Sequence, residues 1–423
     1  MIPPILYALA SYARVRSFPR RIRDRQTLRA WQAKRLKQWL AHDVPKVSAF
    51  RKLAGCGSKL EDLPIMEKSD LMEDFSRFNV PDITNAQGWE AFSGSRRIGD
   101  FIVGASTGTS GNRGLFVISH GEQFSWLGAI LAKAVPDFWR HRDRIAVLLP
   151  LDTPLYDSAN ATGRLALRFF DITDPLGSYL TTLVAFDPTL LVAPPRILRR
   201  LAEANTTLRP RRIFSAAEKL EDFDRAIIEG GFGVALDEIY MATEGLLGVT
   251  CAYGRLHLTE DCMHFEFEPA GEDLVAPIIS DFSRKTQIMA RYRMNDLLRL
   301  DRETCPCGSP LMVVREVVGR QDDVFCMPAV DGKPVELTPD ILRNAIVDTD
   351  RCIDDFLLVQ TGERALELHL SEKLSLPVRQ AVRANLLALL DRHGASPDCR
   401  IEILALEPHS RGKLRRIRRE WAA

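Results

Sequence analysis

Apolar residues in the middle of the chain form short continuous runs, and stretches with helical periodicity lie between them. Four runs predict buried strands: RIAVLLP at 144–150, TLLVAPP at 189–195, RRIFSAA at 211–217 and GVALDEIYMATE at 233–244. Two segments predict the intervening helices, RILRRLAEAN at 196–205 and EDFDRAIIEGG at 221–231. Strands that alternate with helices are typical of an α/β fold around a largely parallel sheet.

The two ends of the chain differ from this middle part. Residues 23–40 carry an apolar stripe of helical spacing, and a further helix is predicted to start at Ser69. Residues 276–318 are rich in strand patterns, and VVGRQDDVF then interrupts the apolar pattern at Gly319. The patterns after Gly319 predict a helix, two strands, a helix and a strand, in that order. We therefore predict a boundary at Gly319 and a small α+β domain after it.

Composition limits the classes of protein that fit. The 423 residues are 46% hydrophobic, which is enough for two or three cores. Lys and Arg total 57 against 56 for Asp and Glu, so the net charge of +1 gives no general attraction to nucleic acid. Eight cysteines in a chain of this length do not indicate a secreted disulfide scaffold. We expect a cytoplasmic protein.

The first residues, MIPPILYALASYARVRSFPRRIR, place an apolar stretch before the arginines. A signal peptide has the opposite order, and no apolar run reaches the roughly 18 residues of a transmembrane segment. We expect an amphipathic or loosely packed segment. Peripheral contact with a membrane surface is the alternative.

The strongest local motif is GASTGTSGNRG at 104–114. Its glycines let backbone N–H groups approach phosphate oxygens, its hydroxyl groups add donors, and Arg113 adds positive charge. The motif is not a Walker A loop, because Gly-Lys is absent from it. The alternative is a flexible turn between two strands.

The segment STGTSGNRG resembles the phosphate loop of the adenylate-forming superfamily, which contains acyl-CoA synthetases and peptide-synthetase adenylation domains. The common form has proline and lysine after the second glycine, where this chain has Asn112 and Arg113. The resemblance implies that the phosphates of ATP bind to Ser106, Thr107, Gly108, Thr109, Ser110, Gly111 and Arg113.

Two further segments resemble nucleotide-binding motifs of the same superfamily. FSAAEKL at 214–220 is similar to a Gly-Ala-Glu segment of the phenylacetate-CoA ligase and coenzyme F390 synthetase branch. IYMATEG at 239–245 resembles a Tyr-Gly-x-Thr/Ser-Glu motif, with Met241 in place of glycine. The resemblance implies that Ala216, Ala217, Glu218, Tyr240 and Met241 surround the adenine.

The same motif implies two residues for the chemistry. Thr243 would bind a phosphate through its hydroxyl group, and Glu244 would hold Mg²⁺ through a carboxylate oxygen. The alternative for Glu244 is a surface carboxylate at the start of a helix.

Three later segments continue the resemblance. RYRMNDLLRL at 291–300 implies that Asp296 binds the ribose, although Met294 and Asn295 replace threonine and glycine. VGRQDDVF at 318–325 implies that Arg320 contacts the ribose or a phosphate and that Asp322 is a hinge. HSRGKLRRI at 409–417 implies that Lys413 contacts the reacting carboxylate and the α-phosphate. The alternative for this last segment is a solvated basic run.

Cysteine and histidine also cluster along the sequence. Cys305 and Cys307 form CPCG, and Cys251 and His257 lie in CAYGRLH, so the four residues suit tetrahedral Zn²⁺. Cys262 and His264 are substitute ligands. Such a site would be structural, because four protein ligands leave no open position. The alternative is reduced cysteines in a core and a surface histidine.

Together the motifs predict a large N-terminal adenylate-forming domain at 1–319, which binds ATP and the acid, and a small mobile α+β lid at 320–423 that carries the lysine. The expected function is ATP- and Mg²⁺-dependent activation of a carboxylic acid through an acyl-AMP, followed by transfer to CoA or another thiol. Tyr156, Phe169 and Phe170 favour an aryl acid. The alternatives are an amide-forming ligase and a non-catalytic nucleotide-binding scaffold. The expected partners are small molecules, and the oligomeric state, a homodimer included, stays open.

Overall fold

The computed structural model describes residues 3–106, 113–149, 164–204, 206–329, 334–353, 355–407 and 415–421. The chain forms two compact units. The first contains Met1–Glu268, Pro277–Met294 and Leu300–Arg315, and the second contains Pro269–Ala276, Asn295–Arg299 and Glu316–Ala423. The predicted α/β class is confirmed, whereas the predicted boundary at Gly319 stays a prediction.

Ten α-helices lie in the described residues: α1 Pro4–Arg21, α2 Arg25–His42, α3 Lys68–Glu73, α4 Asn85–Ser93, α5 His120–Ala134, α6 Leu176–Phe186, α7 Pro195–Glu203, α8 Asp222–Phe232, α9 Pro339–Val347 and α10 Leu376–Arg392. The strands are β1 Arg97–Ile98, β2 Phe101–Ala105, β3 Leu115–Ser119, β4 Asp143–Leu149, β5 Leu165–Asp171, β6 Leu190–Ala193, β7 Arg212–Ala216, β8 Leu236–Ala242, β9 Gly245–Thr250, β10 Leu256–Leu258, β11 His264–Pro269, β12 Leu274–Ser280, β13 Tyr292–Arg293, β14 Asp296–Leu300, β15 Val313–Arg320, β16 Phe325–Met327, β17 Val335–Leu337, β18 Phe356–Gly362, β19 Ala365–Leu370, β20 Arg400–Ala405 and β21 Ile417–Arg419.

A parallel sheet forms the centre of the first unit. Its strands follow the order β5-β4-β6-β7-β8, all parallel, and β9 and β10 then continue antiparallel. Ala146 and Leu148 of β4 belong to one core cluster, and Ile145 and Val147 belong to another. Because successive side chains of a strand point to opposite faces, both faces of the sheet are buried. This explains the continuous apolar runs in the sequence.

The N-terminal segment is helical, with α1 packed against α5. Gly128 permits this packing, because a Cβ atom at that position would lie 2.1 Å from the carbonyl oxygen of Ala8. Leu6 and Leu9 of α1 remain exposed. Among the residues that the structure describes, no helix has the length and hydropathy needed to cross a membrane.

The second unit contains a small mixed sheet with the order β20-β19-β18-β21. Strands β18 and β19 are antiparallel, whereas β20 and β21 each lie parallel to their neighbour. Helices α9 and α10 contribute Leu342, Ile346, Leu386 and Leu390 to its core. The order helix, strand, strand, helix, strand agrees with the pattern predicted for residues after Gly319.

Candidate active site

The glycine-rich loop connects β2 to β3, which form an antiparallel hairpin. Two hydrogen bonds join the ends of the loop: Ser106 N–H donates to the Gly114 carbonyl oxygen at 2.8 Å, and Gly114 N–H donates to Ser106 Oγ at 2.8 Å. Arg113 is exposed. The other predicted residues of the loop, together with the predicted Lys413, lie outside the described residues: Thr107, Gly108, Thr109, Ser110 and Gly111.

The proposed adenine-binding segments meet at the carboxyl ends of β7 and β8. These strands are parallel, with Ala216 paired to Ile239. Ala217 directly follows β7 and has a φ of 70°, an uncommon left-handed conformation for a residue with a side chain. The carboxyl ends of parallel strands are a common ligand-binding edge in α/β sheets.

The predicted residues at this edge differ in exposure. Tyr240 and Met241 are half-buried, and the pairing of β8 with β9 shifts register between them. Glu218 is half-buried, and its carboxylate accepts a hydrogen bond from Arg196 Nε at 3.1 Å, with side chains 5% and 13% exposed. Glu218 therefore forms a structural ion pair with α7.

Thr243 and Glu244 form the turn between β8 and β9 and line a cleft with Ser106 and Gly114. The cleft has an empty volume of about 270 Å³, which includes open solvent. The turn requires Gly245, whose φ of 147° lies in the region that favours glycine. The structure thus brings the described end of the glycine-rich loop together with two residues that the sequence assigned to phosphate and Mg²⁺.

The cleft also contains residues that sequence reasoning missed. They are Lys68, Arg284, Gln287 and Tyr292. Arg284 is the most notable of them, because its Nη2 atom donates to the carbonyl oxygen of Thr243 at 3.2 Å. The segment SDFSRKTQ at 280–287 has no signal in the sequence beyond the Asp and Ser of a turn.

The turn that carries Arg284 is fixed by hydrogen bonds to two carboxylates. Asp281 Oδ1 accepts from Ser283 N–H at 2.8 Å and from Ser283 Oγ at 2.6 Å. Glu122 Oε1 accepts from the N–H groups of Lys285 at 2.6 Å and Thr286 at 2.9 Å. Burial opposes ionisation of Glu122, but these N–H donors hold its pKa below the usual value.

The remaining nucleotide-binding residues predicted from the sequence lie in the second unit. Asp296 starts β14 and Arg320 ends β15. Asp322 lies in a short 3₁₀ helix, Gln321–Asp323, and its carboxylate accepts a hydrogen bond from Asn295 Nδ2 at 2.6 Å.

The four predicted zinc ligands form one compact group in the first unit. The ligand atoms of Cys251, His257, Cys305 and Cys307 all lie within 4.8 Å of one another. Cys251 Sγ and Cys305 Sγ are 3.6 Å apart, and Cys307 Sγ lies 3.4 Å from His257 Nε2. The grouping depends on the pairing of β10 with both β9 and β15, which joins two distant parts of the sequence.

The chemistry of this Cys₃His group fits a tetrahedral metal ion. His257 Nδ1 lies 3.0 Å from the Leu311 carbonyl oxygen, which can only accept, so Nδ1 carries the proton and Nε2 is left to bind a metal. Backbone N–H groups of Tyr253 and Ser309 donate to Cys251 Sγ and Cys307 Sγ, each at 3.4 Å.

Without a cation, the surroundings of Cys307 do not favour its thiolate. Burial and the neighbouring thiols raise the pKa of Cys307 to about 12. A bound metal would reverse this, because metal ligation requires deprotonated thiols.

The substitute ligands have other partners. Cys262 is buried and lies 3.7 Å from Arg14 Nη2, and His264 Nδ1 lies 3.3 Å from Gln32 Oε1. Neither belongs to the Cys₃His group.

The residues predicted to contact the acid are partly core residues. Phe170 is 4% exposed in a hydrophobic cluster, and Phe169 packs against a second cluster that also includes Met241. Tyr156 lies outside the described residues. These aromatic residues therefore carry little information about the acid.

Comparisons with known proteins agree with this fold. No protein-family model matches the chain. Its sequence is 25% identical over 352 residues to a phenylacetate-coenzyme A ligase of Thermus thermophilus, a match that covers 74% of this chain and 75% of the relative.

The fold is that of known ligase structures. A 2-hydroxyisobutyryl-CoA ligase in the postadenylation state superposes with a TM-score of 0.70 at 17% identity, covering 94% of this chain and 90% of that one. The open conformation of the same ligase, in complex with 2-HIB-AMP and CoA, gives a TM-score of 0.62 at 16% identity and covers 94% and 93%. This chain is therefore similar in sequence to one acyl-CoA ligase and shares its fold with another.

Proposed function

We propose that this chain is an ATP-dependent ligase that activates a carboxylic acid as an acyl-AMP. A carboxylate oxygen of the acid attacks the α-phosphorus of ATP, and pyrophosphate leaves with the electrons of the broken P–O bond. A thiol such as that of CoA then attacks the acyl carbon, loses its proton, and releases AMP. The observation that supports this most directly is the shared cleft of Ser106, Thr243 and Glu244.

The cleft residues have distinct roles in this proposal. Ser106 and the glycine-rich loop donate hydrogen bonds to the phosphates. Thr243 adds a hydroxyl donor. Glu244 would hold Mg²⁺, which neutralises phosphate charge as the pyrophosphate departs.

We assign residues 320–423, the larger part of the second unit, to the lid. Asp296 would bind the ribose hydroxyl groups, Arg320 would contact the ribose or a phosphate, and Lys413 would stabilise the charge that develops between carboxylate and α-phosphate. Rotation about Asp322 would then remove Lys413 and admit the acceptor. These roles rest on the motif resemblance.

The proposal also concerns the identities of the acid and of the acceptor. The relative named phenylacetate-CoA ligase supports an aryl acid and CoA as the acceptor. An amide-forming ligase would use the same cleft with an amine as the nucleophile, so only acceptor dependence separates the two.

We further propose that Cys251, His257, Cys305 and Cys307 hold a structural Zn²⁺. The ion would supply no chemistry to the reaction, because four protein ligands complete its coordination. It would instead join the β9–β10 turn to the CPCG segment.

Pyrophosphate release from ATP tests the function. The full chain is assayed with aryl, fatty and amino acids, each with no acceptor, with CoA and with a mixture of amines. We expect release to depend on one class of acid and to turn over faster with CoA. Faster turnover with amines would show that the product is an amide and not a thioester. ATP binding without pyrophosphate release for any acid would favour the non-catalytic nucleotide-binding scaffold.

Two variants test the assigned residues. Glu244→Gln and Lys413→Ala should each slow acyl-AMP formation about 100-fold. Glu238→Gln is the control for the first, because Glu238 lies on β8, just before the turn that carries Glu244, and pairs with Arg225 instead of lining the cleft. Lys373→Ala, at an exposed lysine, is the control for the second. Unchanged acyl-AMP formation in Lys413→Ala would show that the mechanism is wrong.

A further inference from the structure

The cleft of Ser106 and Glu244 needs positive charge if it is to bind the phosphates of a nucleotide. The loop does not have lysine at the position where the resembling loops have it, and Arg113 is exposed and is not among the described residues that line the cleft. Lys68 and Arg284 are the cations that do line it. The charge therefore comes from outside the glycine-rich loop.

Arg284 differs from an ordinary surface arginine in its burial and partners. Its side chain is 13% exposed, its Nε atom lies 3.5 Å from Asp281 Oδ2, and its Nη2 atom donates to Thr243. Its Nη1 atom is buried and has no hydrogen-bond partner among the described residues. A buried guanidinium N–H without a partner is costly, so it indicates a group that a bound anion satisfies.

The guanidinium is also held in place before any ligand binds. Glu122 accepts the N–H groups of Lys285 and Thr286, which directly follow Arg284. The Trp39 indole N–H donates to the Arg284 carbonyl oxygen at 3.2 Å. A cation fixed in this way loses little conformational entropy when it binds.

We propose that Arg284 binds the phosphate groups of ATP that leave as pyrophosphate, in place of the lysine that the loop lacks. This inference rests on the proposed function. The phosphates are favoured over the carboxylate of the acid, because Arg284 shares the cleft with the end of the glycine-rich loop and with the proposed Mg²⁺ ligand Glu244. The Nη1 atom, which has no partner among the described residues, carries two N–H groups that can donate charge-assisted hydrogen bonds to phosphate oxygens.

Binding measurements without any acid test the inference. ATP, pyrophosphate and AMP are titrated by calorimetry, with Mg²⁺, into the full chain and into Arg284→Gln. We expect the affinities for ATP and pyrophosphate to fall about 10- to 100-fold, because a charge-assisted hydrogen bond is lost. The affinity for AMP, which lacks the leaving phosphates, should stay within about twofold of the wild type.

Two further variants separate binding from structural damage. The double variant Asp281→Asn/Arg284→Gln also removes the Asp281 carboxylate, which loses its ion-pair partner in Arg284→Gln. It should show the same selective loss of affinity for ATP and pyrophosphate. Arg199→Gln is the matched control: Arg199 is 15% exposed, pairs with the buried Asp224, and does not line the cleft. It should bind all three ligands like the wild type.

The outcomes are distinct. Equal losses for ATP and AMP, or no loss in either Arg284 variant, would overturn the role of Arg284 and leave the proposed function standing. Failure of the wild type to bind ATP and AMP would overturn both.

Discussion

Asn295 and Asp322 exchange two hydrogen bonds within the second unit. Asn295 Nδ2 donates to Asp322 Oδ2 at 2.6 Å, and Asp322 N–H donates to Asn295 Oδ1 at 3.2 Å. The N–H of Gln321 also donates to the Asn295 carbonyl oxygen at 2.8 Å. The motif that this segment resembles has glycine where Asn295 stands. A side chain that replaces glycine therefore binds the residue predicted to be the hinge.

A double-mutant cycle should detect this pair. Asn295→Ala and Asp322→Ala should each lower the free energy of unfolding by about 1 kcal/mol. Because both changes remove the bond from Asn295 Nδ2 to Asp322 Oδ2, the double variant should lose less than the sum of the single losses. Urea denaturation of the full chain measures all three, and strictly additive losses would contradict the coupling.

The ion pair between Arg415 and Asp323 should stabilise the second unit strongly. Arg415 Nε donates to Asp323 Oδ2 at 3.1 Å, a second bond joins Arg415 Nη2 to Asp323 Oδ1, and the Asp323 side chain is 6% exposed. Arg415→Met leaves a buried carboxylate unpaired and should cost about 3 to 5 kcal/mol of unfolding free energy. Thermal and urea denaturation measure the loss.

An exposed ion pair of the same unit provides the control. Arg364 and Asp398 pair at 3.2 Å with side chains 48% and 73% exposed, so Arg364→Met should cost less than about 1 kcal/mol. If Arg415→Met and Arg364→Met lost similar amounts of unfolding free energy, the burial of Asp323 would not explain the cost of losing its partner.

Gly245→Ala should damage the cleft as well as stability. Gly245 has a φ of 147°, and a Cβ atom there would lie 3.4 Å from Met263 Cε and 3.7 Å from Asp281 Oδ2. We expect a loss of about 1 to 3 kcal/mol, together with slower pyrophosphate release, because Gly245 follows Glu244 directly.

Gly233→Ala separates backbone strain from crowding. Gly233 also has a positive φ, 69°, but nothing lies within 4 Å of a Cβ atom there. It should lose stability with pyrophosphate release unchanged. Equal effects of the two variants on release would argue against a local role for Gly245.

Stability should fall in acid partly through Glu122. Its pKa is lowered in the folded chain, because the N–H groups of Lys285, Thr286 and Ser119 outweigh the effect of burial. Its contribution is therefore complete above the unfolded pKa of about 4.3 and is lost as the pH falls through the lower folded value.

Glu122→Gln measures this contribution. The variant should be less stable than the wild type at pH 7, and the difference in unfolding free energy should narrow below about pH 4.3. Urea denaturation at a series of pH values gives both curves. A difference that stays constant with pH would refute the role of the ionised carboxylate.

The Cys₃His group should bind one zinc ion per chain. Elemental analysis of the purified protein should detect zinc, and its removal with a chelator should lower the melting temperature, because metal binding stabilises the folded state. Cys307→Ser should lose the metal. Cys326→Ser, at a half-buried cysteine outside the group, should keep it.

Absence of zinc from the purified protein, with a melting temperature that added zinc does not change, would refute this site. The three cysteines would then be reduced thiols without a metal, as the alternative interpretation of the sequence held.

The sequence alone predicted four parallel strands of the first unit and most of the residues proposed for the site. Apolar runs predicted β4, β6, β7 and β8, because a strand buried on both faces needs continuous hydrophobic residues. The glycine-rich loop and the Cys₃His set were visible as well, because the suitability of a side chain for phosphate or metal is a property of the residue itself. Each of these patterns is local, although the two Cys/His segments come together only through the pairing of β10 with β9 and β15.

Only the tertiary structure decided which distant residues share a site. Arg284 reaches the cleft through Thr243 and through the hydrogen bonds of Glu122 to the turn after it, and neither contact leaves a local pattern in the sequence. The partnership of Asn295 with Asp322 is hidden for the same reason. Contacts between distant segments form only when the strands pack, so their geometry depends on the whole fold and not on local preference.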